Sequence, residues 1–166
     1  EELRRRGGQA SVLVLPGSRA SEIRHHMRPF GETLARLVKD GRAIDVVLPT
    51  LPRFVEDGEE LLDYLLRRGT YTVENAPLPG LILLDLNMPR KDGREALQEI
   101  KAHPILHRIP VVVLTTSKAE EDIFRSYDLG ANSYITKPVT FDRMVELMNT
   151  LGTYWVEFVE LPKQAE

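Results

Sequence analysis

Short apolar runs alternate along this chain with longer stretches whose apolar residues recur every three or four positions. The short runs are SVLVL (11–15), IDVVL (44–48), LILLD (81–85), PVVVL (110–114) and SYIT (133–136). They are mostly Val, Ile and Leu without alternation, which predicts strands buried on both faces of a parallel sheet. The longer stretches predict helices. From 20 to 39, Ile23, Met27, Phe30, Leu34, Leu37 and Val38 make one apolar stripe, loosened by Pro29 and Gly31. A second helix, about 57–69, opens with Asp57 and Glu60 in capping-box spacing, and the fourth opens likewise with Ser117 and Glu120. The third covers roughly 93–103 and is stopped by Pro104. The last follows Lys137-Pro138, places Phe141, Met144, Val145, Met148, Leu151, Trp155 and Phe158 on one side, and ends before Leu161-Pro162.

Five strand–helix repeats with right-handed crossovers leave few topologies. The pattern predicts a single α/β domain over 1–166, a flavodoxin-like, doubly wound, five-stranded parallel sheet of order 2-1-3-4-5 in three α/β/α layers. Ligands of such sheets bind beyond the carboxyl ends of the strands, at the switch between strands 1 and 3. The informative residues are therefore Pro16 to Arg19, Asp85 to Asn87, Thr115 to Ser117, and Lys137.

Composition narrows the chemistry. The chain has 166 residues, 42% apolar and 28% charged, the balance of an ordinary globular protein. No run approaches a membrane span and the opening EELRRRGGQA offers no apolar signal stretch, so a soluble cytoplasmic protein is expected. With no cysteine, disulfides, thiolate nucleophiles and cysteine-held metals are excluded. A net charge of -3 argues against a phosphate-neutralising nucleic-acid binder. That total hides a division: residues 1–54 hold 10 Lys+Arg against 6 Asp+Glu, and the remainder is strongly acidic. The four histidines read as solvated surface, and no GxxxxGK, GxGxxG or GxSxG motif supports an enzyme reading.

Asp85 ends the third run, Thr115 and Thr116 end the fourth, and Lys137 follows the fifth. Taken singly, each reads as readily as a cap or a solvated side chain. A carboxylate, a hydroxyl and an ammonium at neighbouring strand ends suit aspartyl phosphorylation: the carboxylate attacks phosphorus while hydroxyl and ammonium hold the transferred oxygens. With the flanking DLNMPRKDG and DLGANSYITKP, residues 55–166 resemble the receiver domains of bacterial response regulators, most of all those that partner phytochromes. The resemblance implies Asp85 as phosphoacceptor, Thr115 and Lys137 as switch pair, Tyr134 as a rotating aromatic, and the Asn87 backbone carbonyl as a magnesium ligand beside Asp85. It also implies a cis Lys137-Pro138 peptide and a homodimer through the last helix, served by Tyr154, Trp155 and Phe158, for which core packing is an equally good reading.

The front third differs. Receivers carry an acidic pair after strand 1, whereas here Pro16, Gly17, Ser18 and Arg19 follow, and the nearest carboxylate is Glu22. Mg²⁺ is usually carried by one or two carboxylates, so its binding is expected to be weak or lost. Instead, VLVLPGSRASEIRHHMRPFGETLARL with AIDVVLPTLP resembles the nucleotide-binding half of lipid-A-disaccharide synthase over residues 1–54. In that family the turn lies near a diphosphate, which implies an anion-binding role for Gly17, Ser18 and Arg19; a tight turn with a Ser cap accounts for them as well. The later nucleotide-gripping elements are missing, so glycosyl transfer is not expected.

Two ancestries meeting near Arg53 to Asp57 suggest an engineered chimeric scaffold, not an enzyme, without native activity, native partner or cofactor, its phosphoacceptor apparatus vestigial. The alternatives are a natural receiver with impaired Mg²⁺-dependent phosphorylation, and a passive phosphate or nucleotide binder.

Overall fold

The structure, a computed structural model, describes residues 10–15, 44–47, 58–88 and 90–162. Its strands are β1 (Ala10–Leu15), β2 (Ile44–Val47), β3 (Leu81–Leu84), β4 (Val111–Thr115) and β5 (Ser133–Thr136). They form one parallel sheet in the order β2-β1-β3-β4-β5. The register sets Leu15 beside Leu84, Leu84 beside Val113, and Thr115 beside Thr136. The helices are α1 (Gly58–Leu66), α2 (Gly93–Ala102), α3 (Glu120–Asp128) and α4 (Phe141–Gly152), the last running into a π-helical turn at Thr153–Phe158. The expected helix at 20–39, the Asp57 cap and the junction at 53–57 lie outside the described residues.

The unbroken apolar runs follow from a sheet covered on both sides. Ile82 and Leu84 of β3, with Val111 and Val113 of β4, pack against Leu61 and Leu65 of α1 and Leu97 and Ile100 of α2. Leu81 and Leu83, with Val112 and Leu114, pack against Met144, Met148 and Leu151 of α4 and against Trp155. Because side chains alternate in direction along a strand, each face needs every second residue, and two covered faces leave no position for a polar one. Trp155 is thus core, while Tyr154 (54% exposed) and Phe158 (76%) face outward.

Local chemistry fixes the helix starts. Asp92 caps α2, its carboxylate accepting the Arg94 N–H at 2.6 Å and its own N–H bonded to Glu95, a complete capping box. The box expected from Ser117 and Glu120 does not form. The N-cap of α3 is Ala119, because the Ser117 hydroxyl accepts the Ala119 N–H at 3.3 Å and donates to Asp122 at 2.5 Å. His103 is not merely solvated: its Nδ1 accepts the N–H groups of Ile105 and Leu106, which turns the chain into a 3-10 helix at Leu106–Arg108. On β5, which among the described residues pairs only with β4, the Tyr134 N–H donates to the Tyr127 hydroxyl of α3 at 3.2 Å. The Lys137-Pro138 peptide is trans, contrary to the expected cis form. Lys137 continues the extended path of β5, its N–H bonded to the Thr115 carbonyl at 2.7 Å, and the trans isomer is the intrinsically favoured one.

Candidate functional site

β3, β4 and β5 end side by side, so the residue following or ending each faces the same cleft. Asp85 leaves β3 and is 1% exposed; Thr115, the last residue of β4, is fully buried; Lys137 follows β5 and is 7% exposed. The Lys137 ammonium donates to Asp85 Oδ2 at 2.6 Å. The Asn87 N–H donates to Asp85 Oδ1 at 3.1 Å, so both carboxylate oxygens are engaged. A buried carboxylate is tolerated only with such partners, since desolvation of an unpaired one costs several kcal/mol.

The backbone that presents Asp85 requires a glycine nearby. At Gly93 a Cβ would fall on the Asp85 carbonyl oxygen and 2.7 Å from Leu86 Cα, and the Gly93 N–H closes the loop by donating to Leu86 O at 3.0 Å. This close approach lets α2 begin directly beneath the end of β3.

Thr115 is held by its neighbours in the cleft. Its Oγ1 accepts from Asn87 Nδ2 at 3.1 Å and from the Ser117 N–H at 3.4 Å, while Asn87 Nδ2 also reaches Thr116 Oγ1 at 3.2 Å. Sequence reasoning used only the Asn87 carbonyl; the bridging by its side chain was missed, although an amide two residues past Asp85 was a signal for it. Tyr134 donates its hydroxyl to Ser117 O at 3.1 Å, and burial, chiefly, raises its pKa above the ordinary phenol value.

Ser117 leads outward to an ion pair also absent from the sequence reading. Asp122 accepts from Ser117 through Oδ2 and from Arg94 through Oδ1, with Arg94 Nη2 at 2.6 Å and Nε at 2.8 Å. Hydrogen bonding by Ser117, then by Arg94, holds the Asp122 carboxyl below its ordinary value. Burial works to lower the Arg94 guanidinium, but Asp122 and Asp92 outweigh it and raise it.

Among the described residues a divalent cation finds few donors. Asp85 is already spanned by Lys137, no cluster of three acidic or histidine side chains occurs among the described residues, and Pro16 to Arg19 carry no carboxylate. One occupied carboxylate does not fit a Mg²⁺ site. Gly17, Ser18 and Arg19 lie outside the described residues, so the structure brings them neither to the cleft nor away from it. No described helix is long and apolar enough to cross a membrane.

Comparison with known proteins places these residues in context. Residues 51–149 match the response regulator receiver domain family. The response regulator Rcp1 of Synechocystis sp. is 44% identical over 128 residues, 74% of this chain and 86% of that protein. The crystal structure of the Mn(2+)-bound form of Rcp1 superposes with a TM-score of 0.78 at 38% identity, covering 93% of this chain and 99% of that one. That of the phosphorylated cyanobacterial phytochrome response regulator RcpA gives 0.76 at 38%, covering 94% and 100%. Separately, lipid-A-disaccharide synthase of Rhodopseudomonas palustris is 56% identical over 52 residues, 31% of this chain but only 13% of that enzyme. These likenesses bear out the flavodoxin-like receiver fold. They overturn the expectation of an engineered scaffold without activity, because natural response regulators match most of the chain at both sequence and structure level. Rcp1 itself has been crystallised in a Mn(2+)-bound form.

Proposed function

The chain belongs to the response regulator receiver domain family, and from that membership we propose that it is a two-component signalling domain accepting a phosphoryl group on Asp85. The observation that carries this reading is the buried Asp85–Lys137 pair beside the Thr115 hydroxyl. An Asp85 oxygen attacks phosphorus, the O–P bond of an acyl phosphate forms, and the donor's bond to phosphorus breaks with the electron pair leaving on the donor. Lys137 transfers its hydrogen bond from carboxylate to phosphoryl oxygen, and Thr115 donates its hydroxyl to another. The phytochrome connection in RcpA's name supports a phytochrome-type sensor kinase as donor. The domain acts as a signalling module, not as an enzyme.

With Asp85 held by Lys137 and no carboxylate in Pro16 to Arg19, phosphoryl acceptance is slow and responds only weakly to Mg²⁺. The front third owes its missing acidic pair to a composite ancestry, a reading supported by the lipid-A-disaccharide synthase likeness. Homodimerisation uses the exposed Tyr154 and Phe158 at the end of α4, with Trp155 serving the core.

Incubation of the full chain with phosphoramidate, with and without Mg²⁺, tests the reading by intact-mass spectrometry. The expected result is a gain of one phosphoryl group that Asp85→Asn abolishes. No gain with either condition, in protein shown to be folded, defeats it.

A further inference from the structure

The β4–α3 loop is tied to the start of α2 by a continuous set of hydrogen bonds. Arg94 sits in the first turn of α2, where the N-cap Asp92 steadies its guanidinium at 2.8 Å. Its Nε and Nη2 converge on Asp122 Oδ1, in the first turn of α3. The other oxygen of Asp122 takes the Ser117 hydroxyl at 2.5 Å. Ser117 in turn touches both groups of the proposed switch: its N–H donates to Thr115 Oγ1, and its carbonyl accepts the Tyr134 hydroxyl. The Arg94 and Asp122 side chains are 18% and 19% exposed, so solvent screens the pair far less than a surface bridge. No short sequence motif predicts this, because Arg94 and Asp122 are 28 residues apart.

Because the Ser117 N–H donates to Thr115 Oγ1, any movement of the Thr115 hydroxyl toward a phosphoryl oxygen on Asp85 draws on Ser117. Ser117 cannot follow it while both its side chain and its carbonyl are held. The pull on Ser117 is set at the far end by Arg94, which fixes the carboxylate of Asp122 in the one orientation that offers Oδ2 to the loop.

We propose that Arg94 is a positioning residue: acting through Asp122 and Ser117, it holds the β4–α3 loop in the unphosphorylated arrangement and thereby sets how much phosphoryl group Asp85 retains. This rests on the phosphoacceptor reading of Asp85. Loss of the clamp frees the loop and with it the Thr115 hydroxyl, so Arg94→Gln raises phosphoryl occupancy at limiting donor. A coupling between two such sites is typically worth about fivefold or more in equilibrium. Arg94→Lys keeps the charge but not the fork, and restores part of the wild-type value.

The test measures occupancy by intact mass with limiting phosphoramidate in wild type, Arg94→Gln, Arg94→Lys and Asp122→Asn, with urea midpoints to show that each is folded. Exchange of the Ser117 amide in untreated protein is followed in parallel. Expected are about fivefold higher occupancy in Arg94→Gln and Asp122→Asn, no additivity when they are combined, and loss of the effect in a Thr115→Ala background. A purely structural role would not depend on the Thr115 hydroxyl. Wild-type occupancy in Arg94→Gln, or an increase that persists without that hydroxyl, overturns the proposal. If no variant takes a phosphoryl group, the phosphoacceptor reading fails, and the clamp is judged by the Ser117 amide: faster exchange in Arg94→Gln supports it and unchanged exchange ends it.

Discussion

The Lys137 ammonium lies 2.6 Å from Asp85 Oδ2, with both side chains almost wholly buried. Removing one partner of such a pair leaves an uncompensated charge in a low-dielectric site, which costs about 3–5 kcal/mol. Lys137→Met should therefore lower the unfolding free energy by about that amount in urea titrations, and adding Asp85→Asn should recover much of the loss. A Lys137→Met protein as stable as the wild type would show that the pair is not buried in solution.

Gly93 is predicted to be intolerant of even one methyl group. A Cβ there would overlap the Asp85 carbonyl oxygen and press on Leu86 Cα, both backbone atoms that cannot swing aside. Gly93→Ala should destabilise the domain by about 1–3 kcal/mol, an overpacking cost. The same substitution should also lower phosphoryl uptake measured at a temperature where the variant is folded, because the shift falls on the strand end carrying Asp85. An unchanged urea midpoint would contradict the close approach.

Acid stability should depend on Asp122. Its carboxyl is held below the ordinary value by Ser117 first and Arg94 second, so folding favours the ionised form. The contribution is present in full above the unfolded carboxyl value and is lost as pH falls through the lowered folded one. Urea midpoints measured from neutral pH downward should fall more steeply for the wild type than for Asp122→Asn in that acid window. Parallel curves would count against the interaction.

At the alkaline end, Tyr64 and Tyr71 are each pushed up to about 12, burial being the main cause for both. Tyr64 donates to Pro77 O and Tyr71 to Glu60, contacts that only the protonated phenols make. Folding favours the protonated forms, so their stabilisation holds below the ordinary phenol value and fades as pH rises toward about 12. Spectrophotometric titration should show tyrosinate absorbance appearing near that pH, with a smaller late component in Tyr64→Phe. Completion of the titration at the ordinary phenol value would refute the assignment.

The inner strands were legible because burial on two faces leaves its mark on every residue: LILL is β3 and VVVLT is β4. The assembly of Asp85, Thr115 and Lys137 was legible too, since strand ends in a parallel sheet converge whatever their distance along the chain. What escaped were contacts made by side chains across elements. Nothing local distinguishes Tyr154 from Trp155 as surface and core, because a widened π-helical turn sets which of the two faces the sheet. Arg94 meeting Asp122 depends on how α2 and α3 begin relative to each other, and the Ser117–Glu120 box does not form because the Ser117 hydroxyl donates to the Asp122 carboxylate instead. The expectation of an inactive scaffold followed from the front third, although the receiver family matches residues 51–149.

The Tyr127 hydroxyl that takes the Tyr134 amide has a consequence for how this molecule behaves in a crowd. A strand with a single neighbour is a template on which another chain can add itself, and bare edges are where sheets recruit one another into aggregates. Here one rung of that template is already taken by a side chain from the helix above. An intruding strand would have to displace an aromatic ring before it could zip along β5, so solubility at high concentration should depend on Tyr127.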